Sequence, residues 1–135
     1  MPIEKNIRYI ENPAVAGEPE RYHAVTVRVE PVLTSWRHSL FSYEWLRPDG
    51  SIKETTELSE GEKPKREAVE ELLKSGQPIV KPVLGIGMMD NVEIGSGRAE
   101  FLTLAAQGVK EIPVHIQRSC ESDFKDFIAD VESFA

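Results

Sequence analysis

Residues 83–116, VLGIGMMDNVEIGSGRAEFLTLAAQGVKEIPVHI, carry the signals that decide the fold. An apolar run meets a turn signal at Asp90-Asn91, and a second short apolar run follows. Gly95-Ser96-Gly97-Arg98 comes next, and a segment of helix formers after it ends at Gly108. These patterns predict strands over 83–86 and 92–94, a helix over 97–107, and a strand over 111–117.

The glycine-containing turn and the predicted helix start combine features that bind anions. First-turn N–H groups of a helix lack internal partners, and the macrodipole adds partial positive charge there. An arginine can donate two parallel hydrogen bonds to a phosphate. We therefore predict a phosphate-binding site at Gly95, Ser96, Gly97 and Arg98. Glu93 and Glu100 flank this turn as candidates to hold Mg²⁺ or act as a base, or as ordinary surface carboxylates.

The rest of the chain predicts further strands and helices around this segment. Valines alternate with polar residues after His23, as in a half-buried strand, and Arg47-Pro48-Asp49-Gly50 is a turn sequence typical of a β-hairpin. Gly76 is a natural helix stop. The predicted elements are a short strand over 7–10, a strand over 23–33, a hairpin over 40–58, a helix over 65–75 and an amphipathic helix over 122–134.

This order predicts a single compact α+β domain over residues 1–135, with a small mixed β-sheet and about three helices. A strand-rich part with the hairpin occupies 1–60. The fold's core occupies 62–117, and an amphipathic helix occupies 121–135.

Composition narrows the function classes. The 135-residue chain has a net charge of −7, which disfavours nonspecific nucleic-acid binding. Its single cysteine, Cys120, cannot form an internal disulfide, and no apolar run reaches membrane-spanning length. The N-terminal residues lack the apolar segment of a signal peptide. We therefore expect a cytoplasmic protein with no membrane association.

Two clusters have alternative interpretations. Lys63, Lys65 and Arg66 form a local basic patch, which is typical of a solvated helix start. Aromatic side chains are concentrated between Trp36 and Trp45. Core packing accounts for some of them, and an exposed subset would indicate a protein partner.

Residues 64–117 resemble the core of the ParB/sulfiredoxin-like superfamily. The shared pattern is a helix ending in glycine (Gly76), an apolar strand after a proline, and a hairpin leading to a G-x-x-R turn. A second helix, a glycine and the strand Ile112-Pro113-Val114 complete it. In that superfamily the G-x-x-R turn and the following helix start hold nucleotide phosphates. The resemblance implies that Gly95 lets the backbone approach the anion and that Arg98 pairs with it.

The sequence departs from the superfamily pattern at two positions. Ser96 stands where sulfiredoxins have their catalytic cysteine, so sulfiredoxin chemistry is not expected. Gly97 stands where partitioning proteins and related kinases usually have arginine or histidine. Residues 118–135 are too few for the helix-turn-helix domain with which partitioning proteins read DNA, so we do not expect a centromere-binding role.

Two functions of different classes follow. The first is binding of a nucleotide or other phosphate ligand at the Gly95–Arg98 turn, with Mg²⁺ as a possible cofactor and weak NTPase, nuclease or phosphotransfer activity. The second is a non-catalytic acidic inhibitor or immunity-type protein of a bacterium, plasmid or phage. Such a protein would bind a basic partner such as a toxin nuclease, steered by its negative charge.

Overall fold

The hairpin and helix predicted within residues 83–107 lie at the centre of the fold in the computed structural model, which describes residues 7–129. The strands are β1 (Tyr9–Ile10), β2 (Tyr22–Arg28), β3 (Ile79–Val80), β4 (Leu84–Ile86), β5 (Val92–Ile94) and β6 (Glu111–Gln117). The α-helices are α1 (Pro13–Ala16), α2 (Val29–Trp36), α3 (Lys63–Lys74) and α4 (Arg98–Ala106). Short 3₁₀ helices occupy Pro19–Arg21, Ser42–Glu44, Thr55–Glu57 and Arg118–Phe124.

The described strands form three two-stranded sheets, so the predicted single mixed sheet is wrong in that detail. The longest pair is β2 with β6, antiparallel from Tyr22–Gln117 to Arg28–Glu111. β4 and β5 form the predicted antiparallel hairpin, while β1 and β3 are parallel. A parallel bridge from Val83 to His115 joins the hairpin to β6. The α+β class is confirmed, with four helices instead of about three.

Helices α3 and α4 confirm the predicted helical segments and pack against each other. In α4, four successive residues from Phe101 to Leu104 are fully buried, so the helix lies inside the domain and not along its surface. On α3, Val69 is buried and Gly76 ends the helix with a positive φ of 72°. Burial of α4 in the core and its packing against α3 therefore fix the position of the start of α4.

The strand predicted over 23–33 ends at Arg28, where α2 begins. The alternation of valines correctly predicted the β2 half, but Val29, Val32 and Trp36 are all buried and follow a helical spacing. Pro31 lies in the first turn of α2, where a helix does not use the proline's missing N–H. The proline therefore permits a helix where we predicted the end of a strand.

The hairpin predicted over 40–58 is also wrong. Residues 47–50 do form the predicted turn, closed by the Gly50 N–H donating to the Arg47 carbonyl at 2.8 Å. The turn is flanked only by an isolated bridge between Leu46 and Ile52, with 3₁₀ turns on either side. Trp45 is fully buried, and its indole N–H donates to Glu62 at 2.9 Å. Packing of this tryptophan against α3 replaces strand pairing.

The C-terminal amphipathic helix predicted over 121–135 is wrong where the structure can be described. Arg118–Phe124 is a 3₁₀ helix, and Ile128 then bridges to Val27 of β2. The Ala129 N–H donates to the Thr26 carbonyl at 2.8 Å. The backbone N–H and C=O groups of β2 that face away from β6 therefore hydrogen-bond to this segment. A helix could not form these bonds, because its own backbone groups are paired with each other. Residues 130–135 of the predicted helix lie outside the described residues.

Candidate functional site

The Gly95–Arg98 turn lies between β5 and α4, against the segment that enters β4. The Val83 N–H donates to the Ser96 carbonyl at 2.8 Å, and the Gly95 N–H donates to the Val83 carbonyl at 2.9 Å. Gly97 has a left-handed φ of 86°, and a Cβ on it would lie 2.8 Å from the Pro82 Cα. The glycine at position 97 is thus required by the close approach of two backbones.

Arg98 is directed into the protein and is occupied by internal partners. Its Nη1 forms an ion pair with the Glu44 carboxylate at 3.3 Å, and its Nη2 donates to the Ile94 carbonyl at 3.3 Å. The guanidinium carbon lies 5.7 Å from the ring centroid of Trp36 and 5.1 Å from that of Phe41. Both distances are within the range of cation–π attraction. Glu44 is thus an internal partner of Arg98, whose side chain is still 26% exposed.

Ser96 belongs to a polar network that reaches from the turn to β6. The Asn12 side-chain amide donates to Ser96 Oγ at 3.1 Å. The Asn12 backbone N–H donates to Nε2 of His115 at 3.2 Å, and the Glu11 carboxylate lies 3.4 Å from the same nitrogen. The bond from Asn12 favours the neutral imidazole, because it needs Nε2 as an acceptor. His115 is only 2% exposed. The network fixes the turn relative to α1, whose N-terminus Asn12 caps.

We expect His115 to make stability depend on pH in the mildly acidic range. Burial lowers its pKa below 6.5 and outweighs the opposing attraction of Glu11. The unfolded chain therefore takes up the proton first, and the free energy of unfolding falls as the pH drops below about 6.5. Urea unfolding between neutral pH and about pH 5 should show a shallower decline for His115→Gln than for the wild type or for His38→Gln, which changes an exposed histidine. Equal slopes would contradict this role.

Glu93 binds neighbouring side chains instead of standing free beside the turn. Its Oε1 accepts a hydrogen bond from Ser39 Oγ at 2.7 Å, and its Oε2 accepts one from the Asn91 amide at 3.0 Å. Among residues 7–129, no group of three or more His, Cys, Asp or Glu side chains is placed to hold a metal ion. Glu93 thus acts as a structural link, while Glu100 remains a partly buried residue of the first turn of α4.

A groove of about 480 Å³ separates the start of α4 from α3. No side chain caps the N-terminus of α4. Lys65 reaches the groove from α3 and pairs with Glu62 at 3.2 Å. The Trp45 indole N–H is the main cause of the lowered pKa of Glu62, so this carboxylate stays charged. The groove is lined by Glu62, Lys65, Ala68, Val69, Leu72, Gly95, Gly97, Arg98, Ala99 and Glu100.

Four large apolar side chains are exposed on the other side of Glu93. Leu40 is 86% exposed, Phe41 51%, Met88 102% and Met89 76%. Ser39, which precedes Leu40 and Phe41, donates a hydrogen bond to Glu93. Gly87 precedes Met88 and Met89, and a Cβ on it would lie 2.8 Å from the Glu93 Cγ. Glu93 therefore contacts the residue that precedes each of the two exposed pairs. We call Leu40, Phe41, Met88 and Met89 the Leu–Met surface.

No known family, curated protein or solved structure matches this chain. The ParB/sulfiredoxin-like resemblance therefore stays a prediction. In the described part of the chain, no helix has the length and apolar character needed to cross a membrane.

The structure brings the four predicted turn residues together and gives each of them a contact within the protein. Sequence reasoning missed Asn12, Glu44 and Glu62, which approach the turn from distant positions and share no motif with it. It also interpreted Arg66 as solvated. That residue is 7% exposed, donates to the Lys53 carbonyl at 2.6 Å and stacks on Trp45 at 5.9 Å. The local sequence contains no signal for these long-range partners.

Proposed function

We propose that this protein is a non-catalytic binding protein that engages a protein partner through the Leu–Met surface. The observation that carries the proposal is four large, exposed apolar side chains on two segments that both contact Glu93. Exposed apolar patches on single domains mark interaction sites, and methionine and phenylalanine are enriched at interface cores. The internal pairing of Arg98 supports this proposal over phosphate chemistry at the turn.

The partner we propose is a basic protein, such as a toxin nuclease, and not a second copy of this chain. Each copy carries a net charge of −7, so two copies repel one another before contact. The same charge accelerates encounter with a basic protein at low salt. The role is that of an inhibitor or immunity-type protein, whose apolar contact supplies affinity while its charge supplies the rate of association.

The test uses the charged double variant Leu40→Glu/Met88→Glu. As a control, Ile10→Glu places one negative charge, half the change of the double variant, on another apolar residue, which is 47% exposed on β1. We expect wild type and control to retain one stoichiometric basic partner from cell extract. The purified pair should then bind with an affinity that the double variant weakens more than about tenfold, or 1.4 kcal/mol. Calorimetry of the purified components checks this.

Two results would overturn the proposal. Undiminished binding by the double variant would place the contact elsewhere. A concentration-dependent dimer in sedimentation, abolished by the same variant, would make a second copy of this chain the occupant.

A second candidate function is phosphate or nucleotide binding, with or without Mg²⁺, in the groove between α3 and α4. The observation that favours it is the uncapped start of α4 beside Gly95, Gly97 and Lys65. The backbone N–H groups of the first turn would contact the phosphate, and Lys65 would supply the charge that Arg98 no longer has free. Any hydrolysis or transfer would then depend on Glu100, the flanking carboxylate that lines the groove.

A thermal-shift series with ATP, CTP, GTP and ADP tests this candidate, with and without Mg²⁺. A nucleotide at about 100 times its dissociation constant stabilises the wild type by about 2.7 kcal/mol. We expect Lys65→Glu to remove the shift and Lys63→Glu to keep it, because Lys63 carries the same charge on the same helix but does not line the groove. Absence of any shift with the wild type would contradict this function.

A further inference from the structure

A second groove, of about 390 Å³, lies beside the turn at residues 47–50. Three of its lining residues are cations, Arg37, Arg47 and Lys53, and none is a carboxylate, although the chain as a whole has a net charge of −7. The remaining lining residues are Ser42, Tyr43, Leu46 and Pro48. The charged side chains that line this groove are thus all positive, and the nearby carboxylates of Asp49 and Glu57 lie outside its lining.

The two arginines are held in place by contacts at their edges. Arg47 Nη2 pairs with Glu57 at 2.6 Å, and this carboxylate raises the pKa of Arg47 further. Arg37 Nη2 donates to the Pro48 carbonyl at 3.2 Å and crosses the turn so closely that a Cβ on Gly50 would lie 3.0 Å from its guanidinium carbon. Cations positioned in advance lose less conformational entropy when an anion binds.

Arg47 is neutralised by Glu57, but the other two cations are not. The ion pairs formed within residues 7–129 include neither Arg37 nor Lys53. The nearby Asp49 carboxylate accepts hydrogen bonds from Ser51, which lower its pKa. Asp49 attracts Arg37 and Glu57 attracts Lys53, but neither cation forms an ion pair with them, so both side chains can still donate to an anion.

Tyr43 adds a flat apolar face to this cationic groove. It is 68% exposed, and exposed aromatic side chains stack on the planar bases of nucleotides. We propose that this groove binds a phosphate monoester carried on a planar ring. The Arg37 guanidinium and the Lys53 ammonium contact the phosphate, and Tyr43 stacks on the ring. This site is separate from the Gly95–Arg98 turn and does not depend on the function proposed above.

Titration of ¹⁵N-labelled protein with defined phosphates tests the proposal. Adenosine monophosphate and O-phosphotyrosine are the two ring-bearing probes, which distinguish a nucleotide from an aryl phosphate as the source. Inorganic phosphate tests binding of the phosphate group alone, and adenosine tests binding of the ring system alone. We expect a monoester to shift the amide signals of residues around 43–53 at millimolar concentration, and adenosine to leave them unchanged.

Variants identify the contacts. Lys53→Ala should weaken monoester binding about tenfold, and Tyr43→Ala should weaken the monoester but leave inorganic phosphate unaffected. Lys65→Ala, at the other groove, should change neither. No shift of these amides with either monoester, or a titration that Lys53→Ala leaves unchanged, overturns the inference. Loss of binding with Lys65→Ala alone would assign the phosphate to the α3–α4 groove instead. Lys53→Ala and Tyr43→Ala should both keep the wild-type dispersion of the amide signals elsewhere in the protein. This control separates loss of binding from unfolding.

Discussion

Replacing Gly97 by alanine is expected to lower the free energy of unfolding by about 3 kcal/mol. The left-handed φ of 86° costs a residue with a side chain about 1–2 kcal/mol. The added Cβ would also lie 2.8 Å from the Pro82 Cα, a backbone atom that cannot rotate away. Urea unfolding of the wild type and Gly97→Ala measures the difference.

The chain contains matched controls for this prediction. Gly76 and Gly108 also have positive φ values, 72° and 90°, but no atom lies within 4 Å of a Cβ built on either. Alanine at these two positions should therefore lower the free energy of unfolding by only about 1 kcal/mol, because it meets the left-handed backbone conformation but no steric contact. If Gly97→Ala costs no more than Gly76→Ala, the close approach of Pro82 does not constrain the turn.

Replacing Arg98 by alanine is expected to lower the free energy of unfolding by about 2 kcal/mol. The variant loses the ion pair with Glu44, the hydrogen bonds to the Ile94 carbonyl and the stacking on Trp36 and Phe41. At 3.3 Å the ion pair is longer than an ideal charge-assisted hydrogen bond, so it supplies only part of this loss. Leaving the Glu44 carboxylate, which is 30% exposed, without a partner adds to the cost.

A double-mutant cycle separates these contributions. We expect Arg98→Ala and Glu44→Gln to couple by about 0.5–1 kcal/mol, with the remaining loss due to stacking and the Ile94 contact. Arg118→Ala, which removes an exposed arginine bound to the Glu20 carbonyl, should change stability by less than about 0.5 kcal/mol. If Arg98→Ala is as mild as this control, Arg98 is not a structural residue, and phosphate binding by its guanidinium becomes the better interpretation.

The stability of Arg98 variants also decides how ligand binding can be tested. A simple prediction from the sequence is that Arg98→Ala abolishes nucleotide binding without unfolding the domain. The structure gives this arginine four internal contacts, so loss of binding in that variant would not distinguish a missing phosphate contact from a displaced turn. Lys65 and Lys53 are better probes, because each lines a groove from a position on the protein's surface.

Local patterns in the sequence predicted the elements whose structure depends on near neighbours. The β4–β5 hairpin and the helices α3 and α4 have apolar periodicity, turn residues and terminal glycines within a few positions of one another. The turn over 95–98 was recognised as a distinct feature for the same reason. Each of these signals acts through the backbone of adjacent residues, so it can be read without knowing the fold.

Only the tertiary structure decided what the recognised residues do. Arg98 was predicted to bind a phosphate, and the structure adds a partner that the sequence did not predict, Glu44, which lies 54 residues earlier in the chain. Glu93 was a candidate metal ligand or base, and it links Ser39 to the β4–β5 hairpin. This link joins the segments that carry the exposed side chains of Leu40 and Met88. Partners so distant leave no local pattern, because the energy of an ion pair or a buried contact depends on separation in space and not along the chain.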